Sequence, residues 1–182
     1  MMKQAFEYAQ EKHKNQVRKS SQIPYMTHIY DVARILINNH APMHVVVAGI
    51  LHDTLEDTNA TAQEIESLFG KQVLTIVEEE TEIKTLAWHE RKQDRIDHLK
   101  TASLECKMVK CADMLANLSD LHQNIKSDGD GIWAFFRGTK QDTMWYYGSM
   151  IEAMKELENM QMYVALKKLF AKVFVSATPS LS

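Results

Sequence analysis

Val45-Val46-Val47-Ala48-Gly49-Ile50-Leu51-His52-Asp53-Thr54-Leu55-Glu56-Asp57 is apolar over its first seven residues and then gathers one imidazole and three carboxylates in the next six. Laid on one helix at about 100° per residue with His52 as zero, Glu56 falls near 40°, Asp53 near 100° and Asp57 near 140°. Those four groups share less than half the circumference, while Val45, Val46, Val47, Ile50, Leu51 and Leu55 point in every direction. A helix that is apolar all round is a buried one, and burying four ionisable groups without compensation is prohibitive. A cation would supply the compensation. The alternative that these residues leave open is a frayed, solvated last turn in which His52-Asp53 is incidental.

Outward from this segment the chain reads as helices throughout. Pro42 suits the first turn of the helix that carries the segment. Upstream, residues 2–14 set Ala5, Phe6 and Ala9 at helical spacing, and the polar stretch Asn15 to Thr27, with Pro24, is a loop into a helix from His28. Downstream, Thr61 and Glu64 have capping-box spacing, and Gly70 is a C-terminal stop after Leu68-Phe69. A short helix follows, and residues 81–90 fit no template. A charged helix is expected from about His89 to Lys100, and an amphipathic one from about Leu104 to His122. Asp128-Gly129-Asp130-Gly131 reads as a loop, followed by a helix from about Thr139 to Asn159 and a shorter one ending near Phe174. No strand alternation and no internal repeat is visible. The expectation is an all-α, single compact helical bundle over residues 1–175 with a Ser/Pro tail at 176–182.

Composition narrows the function classes. With 182 residues, a net charge of −3, 45% hydrophobic content and mean hydropathy of −0.32, the chain is one globular domain and not a disordered one. No helix carries a Lys/Arg face along its length, so nucleic acid is not an expected partner. The N-terminus lacks a signal-type apolar stretch, and the run Val45 to Leu51 is too short to span a bilayer. A cytoplasmic location without membrane contact is expected. Cys106 and Cys111, five residues apart on one helix, are too distant to bridge and read as reduced core thiols.

Four segments carry a resemblance: HKNQVRKSSQIPYMTHIYDVARIL (His13 to Leu36), AGILHDTLEDT (Ala48 to Thr58), FGKQVLTIVEEET (Phe69 to Thr81) and MVKCADMLANLSDL (Met108 to Leu121). In that order, through RKS-x3-PY-x2-H, HD-x2-ED-T and K-x2-D-x3-N, they resemble the HD-domain hydrolases of the RelA/SpoT homologue group. The small stand-alone alarmone hydrolases are the closest in kind, and the resemblance covers roughly residues 3–125. It implies a helical HD domain, a single Mn²⁺ and removal of the 3′-pyrophosphate from ppGpp or pppGpp. Carried over residue by residue, it implies His28, His52, Asp53 and Asp113 as metal ligands, and Glu56 and Asp57 as the acidic pair that manages the attacking water. Two imidazoles and two carboxylates suit Mn²⁺ or another first-row ion.

The resemblance also implies substrate contacts at Arg18, Lys19 and Asn117, with Lys110 on the same helical stripe as Asn117. Arg137 and Lys140 are candidate phosphate contacts beyond the matched region, where Thr143 is one alignment for a ligand-binding tyrosine of relatives. The chain has Ile29, Met114 and Ser119 where relatives usually carry proline and basic residues. Trp133, Phe135, Phe136, Trp145, Tyr146, Tyr147, Met150 and Met154 are expected in the core or a subunit contact, which leaves a homo-oligomer open. The expected partner is a small-molecule nucleotide. Two other readings stay open: hydrolysis of another nucleotide, such as an adenosine alarmone or the 2′-phosphate of NADPH, and a non-catalytic nucleotide-binding module.

Overall fold

The computed structural model describes residues 1–18, 22–82, 87–135 and 137–175. Among these the architecture is all-α, apart from an isolated antiparallel bridge between Val17 and Pro24. The helices are α1 (Met2–Lys12), α2 (Met26–Asn38), α3 (Met43–Leu51), α4 (Thr54–Asp57), α5 (Ala62–Phe69), α6 (Lys71–Glu80), α7 (Trp88–Thr101), α8 (Leu104–Asp128), α9 (Lys140–Ala153) and α10 (Gln161–Phe170). The tail at 176–182 lies outside the described residues, as do Lys19 and Phe136.

The apolar circumference of α3 has a direct cause in the packing. This helix is enclosed by α1, α2, α6 and α8, and every residue from Val45 to Leu51 is buried. Each such Val, Leu or Ile stabilises the fold by about 1.5–3 kcal/mol relative to exposure. The 25-residue α8 runs past α2, α3, α6 and α10, so the start of α2, the end of α3 and the middle of α8 converge. Ile29 and Met114 are both core residues.

Local signals explain most boundaries. Thr61 and Glu64 form the full capping box at the start of α5, and Gly70, at φ 88°, separates α5 from α6. A second capping box, Thr139 with Asp142, starts α9. Cys106 and Cys111 are free and buried, and burial pushes the Cys111 thiol up to about 12.

Three expectations are corrected. The segment at His52 is not one helix: α3 stops at Leu51, His52 and Asp53 form a turn, and α4 is a separate single turn. Thr54 Oγ1 donates to the Leu51 carbonyl at 2.6 Å, a local bond that competes with the helical ladder. Asp128-Gly129-Asp130-Gly131 is not an open loop, because α8 continues to Asp128 and a 3₁₀ helix spans Gly129–Phe135. Gly129, at φ 63°, makes that junction in a region that disfavours a Cβ. The expected helix from Thr139 to Asn159 is divided into α9 and a 3₁₀ turn at Lys155–Leu157.

Candidate metal centre and cleft

His28 in the first turn of α2, His52 just after α3 and Asp113 in α8 bring one donor atom each into a buried cluster, all within 4.8 Å of one another. The His28 Nε2 atom lies 3.3 Å from Asp113 Oδ1 and 3.4 Å from His52 Nε2. His52 Nδ1 lies 2.8 Å from the Gly49 carbonyl. Donating its Nδ1–H there fixes the tautomer and turns an Nε2 lone pair into the cluster, the usual arrangement of a metal-ligating histidine. Asp53 approaches from the side. Its Oδ2 is 2.9 Å from His52 Nε2 and 4.0 Å from His28 Nε2, and it accepts a hydrogen bond from the Tyr25 hydroxyl.

The electrostatics favour a cation. Burial works against a charged His52, yet Asp53 and Asp113 lift its pKa well above the ordinary histidine value. Burial also opposes ionisation of Asp113, but Lys110, His28 and His52 hold its carboxyl well below the usual range. Two imidazole nitrogens and the Asp113 carboxylate converging in a buried space, with Asp53 beside His52, form a set that fits a divalent first-row ion.

Above the cluster lies a cleft of about 530 Å³. Tyr25, Glu56, Asp57, Arg18, Asn117, Asp120, Trp88, Arg91, Lys92, Phe135, Arg137 and Tyr147 are on its walls. Asn117 joins cleft and cluster, donating to Asp113 Oδ1 at 2.6 Å and accepting from Arg18 Nη2 at 3.0 Å. Arg18 is fixed further by Asp120, 3.0 Å from Nη2. Glu56 and Asp57, adjacent in α4, both face the cleft but differ in environment. Glu56 is half-buried, and burial together with Glu82, Asp53 and Asp57 raises its pKa against the Glu82 N–H that it accepts at 3.1 Å. Asp57 is exposed.

Other expected contacts are not brought to the cleft. Lys110 is buried, 2.7 Å from Glu80 Oε2 and 3.1 Å from Asp113 Oδ2, and does not line the cleft. Burial opposes its charge, but Glu80 and Asp113 raise its pKa well above the ordinary value. Lys140 lies over the Trp133 ring at 5.6 Å. The Thr143 hydroxyl donates to the Thr139 carbonyl, and Tyr147, one turn further along α9, is the residue that reaches the cleft. Met150 and Met154 are core residues as expected, whereas Phe135, 61% exposed, lines the cleft instead of packing inside.

Sequence reasoning named neither Tyr25 nor the wall formed by Trp88, Arg91 and Lys92. The signal for Tyr25 was present in the PY pair of the first motif. Spacing within α7 sets Trp88, Arg91 and Lys92 at i, i+3 and i+4, but nothing in the sequence says which face of α7 lines the cleft.

A family model of the HD domain matches residues 5–144. The chain belongs to the HD-domain family. With that membership the metal-dependent phosphohydrolase class is established for it. The HD-domain chain is 38% identical over 172 residues to guanosine-3′,5′-bis(diphosphate) 3′-pyrophosphohydrolase MESH1 of Mus musculus, covering 92% of this chain and 91% of that protein. It is 47% identical over 121 residues to MESH1 of Xenopus tropicalis, covering 65% of this chain and 68% of the other. A solved structure, described as a metazoan ortholog of SpoT that hydrolyzes ppGpp and plays a role in starvation responses, superposes with a TM-score of 0.81 at 29% identity, covering 94% of each chain. Among the described residues, no helix of this HD domain is long and apolar enough to cross a membrane.

Proposed function

We propose that the chain is a cytoplasmic, Mn²⁺-dependent guanosine-3′,5′-bis(diphosphate) 3′-pyrophosphohydrolase, taking ppGpp or pppGpp to GDP or GTP plus pyrophosphate. The observation that carries this reading is one cleft that combines the Glu56-Asp57 pair with direct hydrogen bonds, from Tyr25 and Asn117, to the donor cluster beneath. Its likeness to hydrolases named for that reaction extends over nearly the whole chain.

His28, His52, Asp53 and Asp113 would hold the ion, with His52 pre-oriented by Gly49 and Asp113 by Lys110 and Asn117. When bound, Mn²⁺ supplies Lewis acidity, lowering the pKa of water and neutralising phosphate charge. Glu56 takes the proton from the attacking water. Its raised pKa brings it nearer to working pH than an ordinary carboxylate, which suits it to receive that proton and give one back. The water oxygen bonds to the phosphorus attached to O3′, the P–O3′ bond breaks, and a proton passes to O3′. Asp57, at the solvent side, steers the water and shares the proton. Arg18, fixed by Asn117 and Asp120, presents a planar cation to base and phosphate, a task Lys cannot copy. Lys19 and Arg137 add charge for the remaining phosphates.

The test is to incubate Mn²⁺-loaded protein separately with ppGpp, an adenosine alarmone and NADPH and resolve the products. Release of pyrophosphate with GDP from ppGpp is expected. Turnover of one of the others in its place would reassign the substrate, and tight binding of ppGpp without turnover would make the chain a regulatory module.

A further inference from the structure

Arg91 and Lys92 lie on the cleft wall contributed by α7, and the sequence motifs give them no role. Both are clamped by one carboxylate: Arg91 Nε is 3.0 Å and Lys92 Nζ 2.7 Å from the two oxygens of Glu82. The backbone N–H of the same Glu82 donates to Glu56 Oε2. Two cations are therefore tied through a single residue to the carboxylate proposed as proton acceptor.

All three side chains are mostly buried, with exposures of 14%, 17% and 12% for Arg91, Lys92 and Glu82. Burial lowers the Lys92 pKa and Glu82 opposes the shift. Lys92 Nζ also lies 4.7 Å from the Tyr146 ring centre, a contact that favours its charged form. The group carries two positive charges against one negative, a surplus held at the edge of a cleft. Arg91 meets Glu82 through Nε and stands on the cleft wall. Arg18, by comparison, already has Asp120 and Asn117 on its guanidinium.

We infer that Arg91 and Lys92 form the receiving site for the 3′-diphosphate, holding the two phosphates that leave as inorganic pyrophosphate. The inference rests on the proposed hydrolysis at the same cleft. A pair of Nη groups meets two phosphate oxygens in one plane, and the neighbouring ammonium adds a point charge without demanding a direction. Glu82 sets the strength of this site, since its charge offsets part of the pair's attraction and lets product go. The separation of roles is then spatial, with Arg18 and Asn117 on the nucleoside side of the cleft and α7 on the diphosphate side.

The experiment is isothermal titration of the Mn²⁺-loaded protein with inorganic pyrophosphate and, separately, with GDP. Arg91→Gln is expected to weaken pyrophosphate binding by roughly 10- to 100-fold, the loss of charge-assisted hydrogen bonds, with GDP affinity within about twofold of wild type. Glu82→Gln, which keeps its shape and frees the two cations, is expected to bind pyrophosphate more tightly and guards against misfolding of the arginine variant. Unchanged pyrophosphate affinity in Arg91→Gln, an equal loss for GDP, or unchanged or weaker binding in Glu82→Gln would overturn the assignment. A protein that binds pyrophosphate in this pattern but leaves ppGpp intact would instead retain the site and remove the proposed reaction.

Discussion

Glu56 and Asp57 are neighbours in sequence with different surroundings, one half-buried against the Glu82 backbone and the other open to solvent. That difference makes Glu56 the residue to change first. Glu56→Gln keeps the shape and the Glu82 hydrogen bond, so it should retain bound Mn²⁺ by elemental analysis while kcat falls about 10²–10⁴-fold with KM little altered. A metal-free variant would make Glu56 a ligand instead. Lys110 shows how far spacing alone can be read. Its i−3 position to Asp113 was legible, and the structure makes that contact, but the carboxylate that draws it inward is Glu80 at the end of α6. Arg95 of α7 meets the same Glu80 oxygen at 3.1 Å. No local pattern reports a partner arriving from another helix. Lys110→Met should cost about 3–5 kcal/mol in denaturant unfolding, the usual penalty for stripping one member from a buried charge network, and should also weaken metal binding through Asp113.

Helix starts with a capping signature were legible because caps are local. Thr61 with Glu64 and Gly70 fell where their chemistry requires. The break between α3 and α4 was not, because periodicity registers apolar faces and is blind to the Thr54 hydroxyl on the Leu51 carbonyl. At that break His52 and Asp53 keep right-handed helical backbone angles, and their donor atoms lie 2.9 Å apart. The packing beneath it can be tested at Gly49, where an added Cβ would lie 2.4 Å from Leu36 Cδ1 and 3.3 Å from Val32 Cγ1. Gly49→Ala should lower stability, as overpacking of about 1–3 kcal/mol outweighs roughly 1 kcal/mol of helix propensity. Because the Gly49 carbonyl anchors His52, Mn²⁺ affinity should drop with it. At the other side of α3, Glu64 accepts from Thr61 N–H, Lys12 and Tyr8 and so ties α5 to α1. The Thr61 and Lys12 hydrogen bonds lower its pKa from 4.5 to about 2. A carboxyl depressed on folding stabilises above its unfolded pKa and loses that contribution as pH falls through the folded one. Glu64→Gln should therefore lower Tm at pH 7, with the gap to wild type closing between pH 4.5 and about 2 in thermal melts.

The whole assembly places donors from α2, α8 and the turn after α3 in contact, while part of the cleft wall comes from elsewhere. His28, His52 and Asp113 belong to motif segments recognisable in the sequence, and they converge because α2, α3 and α8 pack together. Tyr147 of α9, Phe135 of the 3₁₀ helix and Arg91 of α7 close the cleft from parts of the chain with no motif of their own. Their place depends on how α7 and α9 pack on each other, which no single segment encodes. A buried, charged donor set makes the fold itself sensitive to the ion, so EDTA-stripped protein should melt at lower temperature and regain its Tm as Mn²⁺ is returned. The most direct measurement is to titrate Mn²⁺ into stripped protein while following pyrophosphate release from ppGpp. Activity should be absent at the start, rise in proportion to bound metal and saturate at one ion per chain. Full turnover by the stripped protein, or no turnover once the ion is bound, would contradict the account.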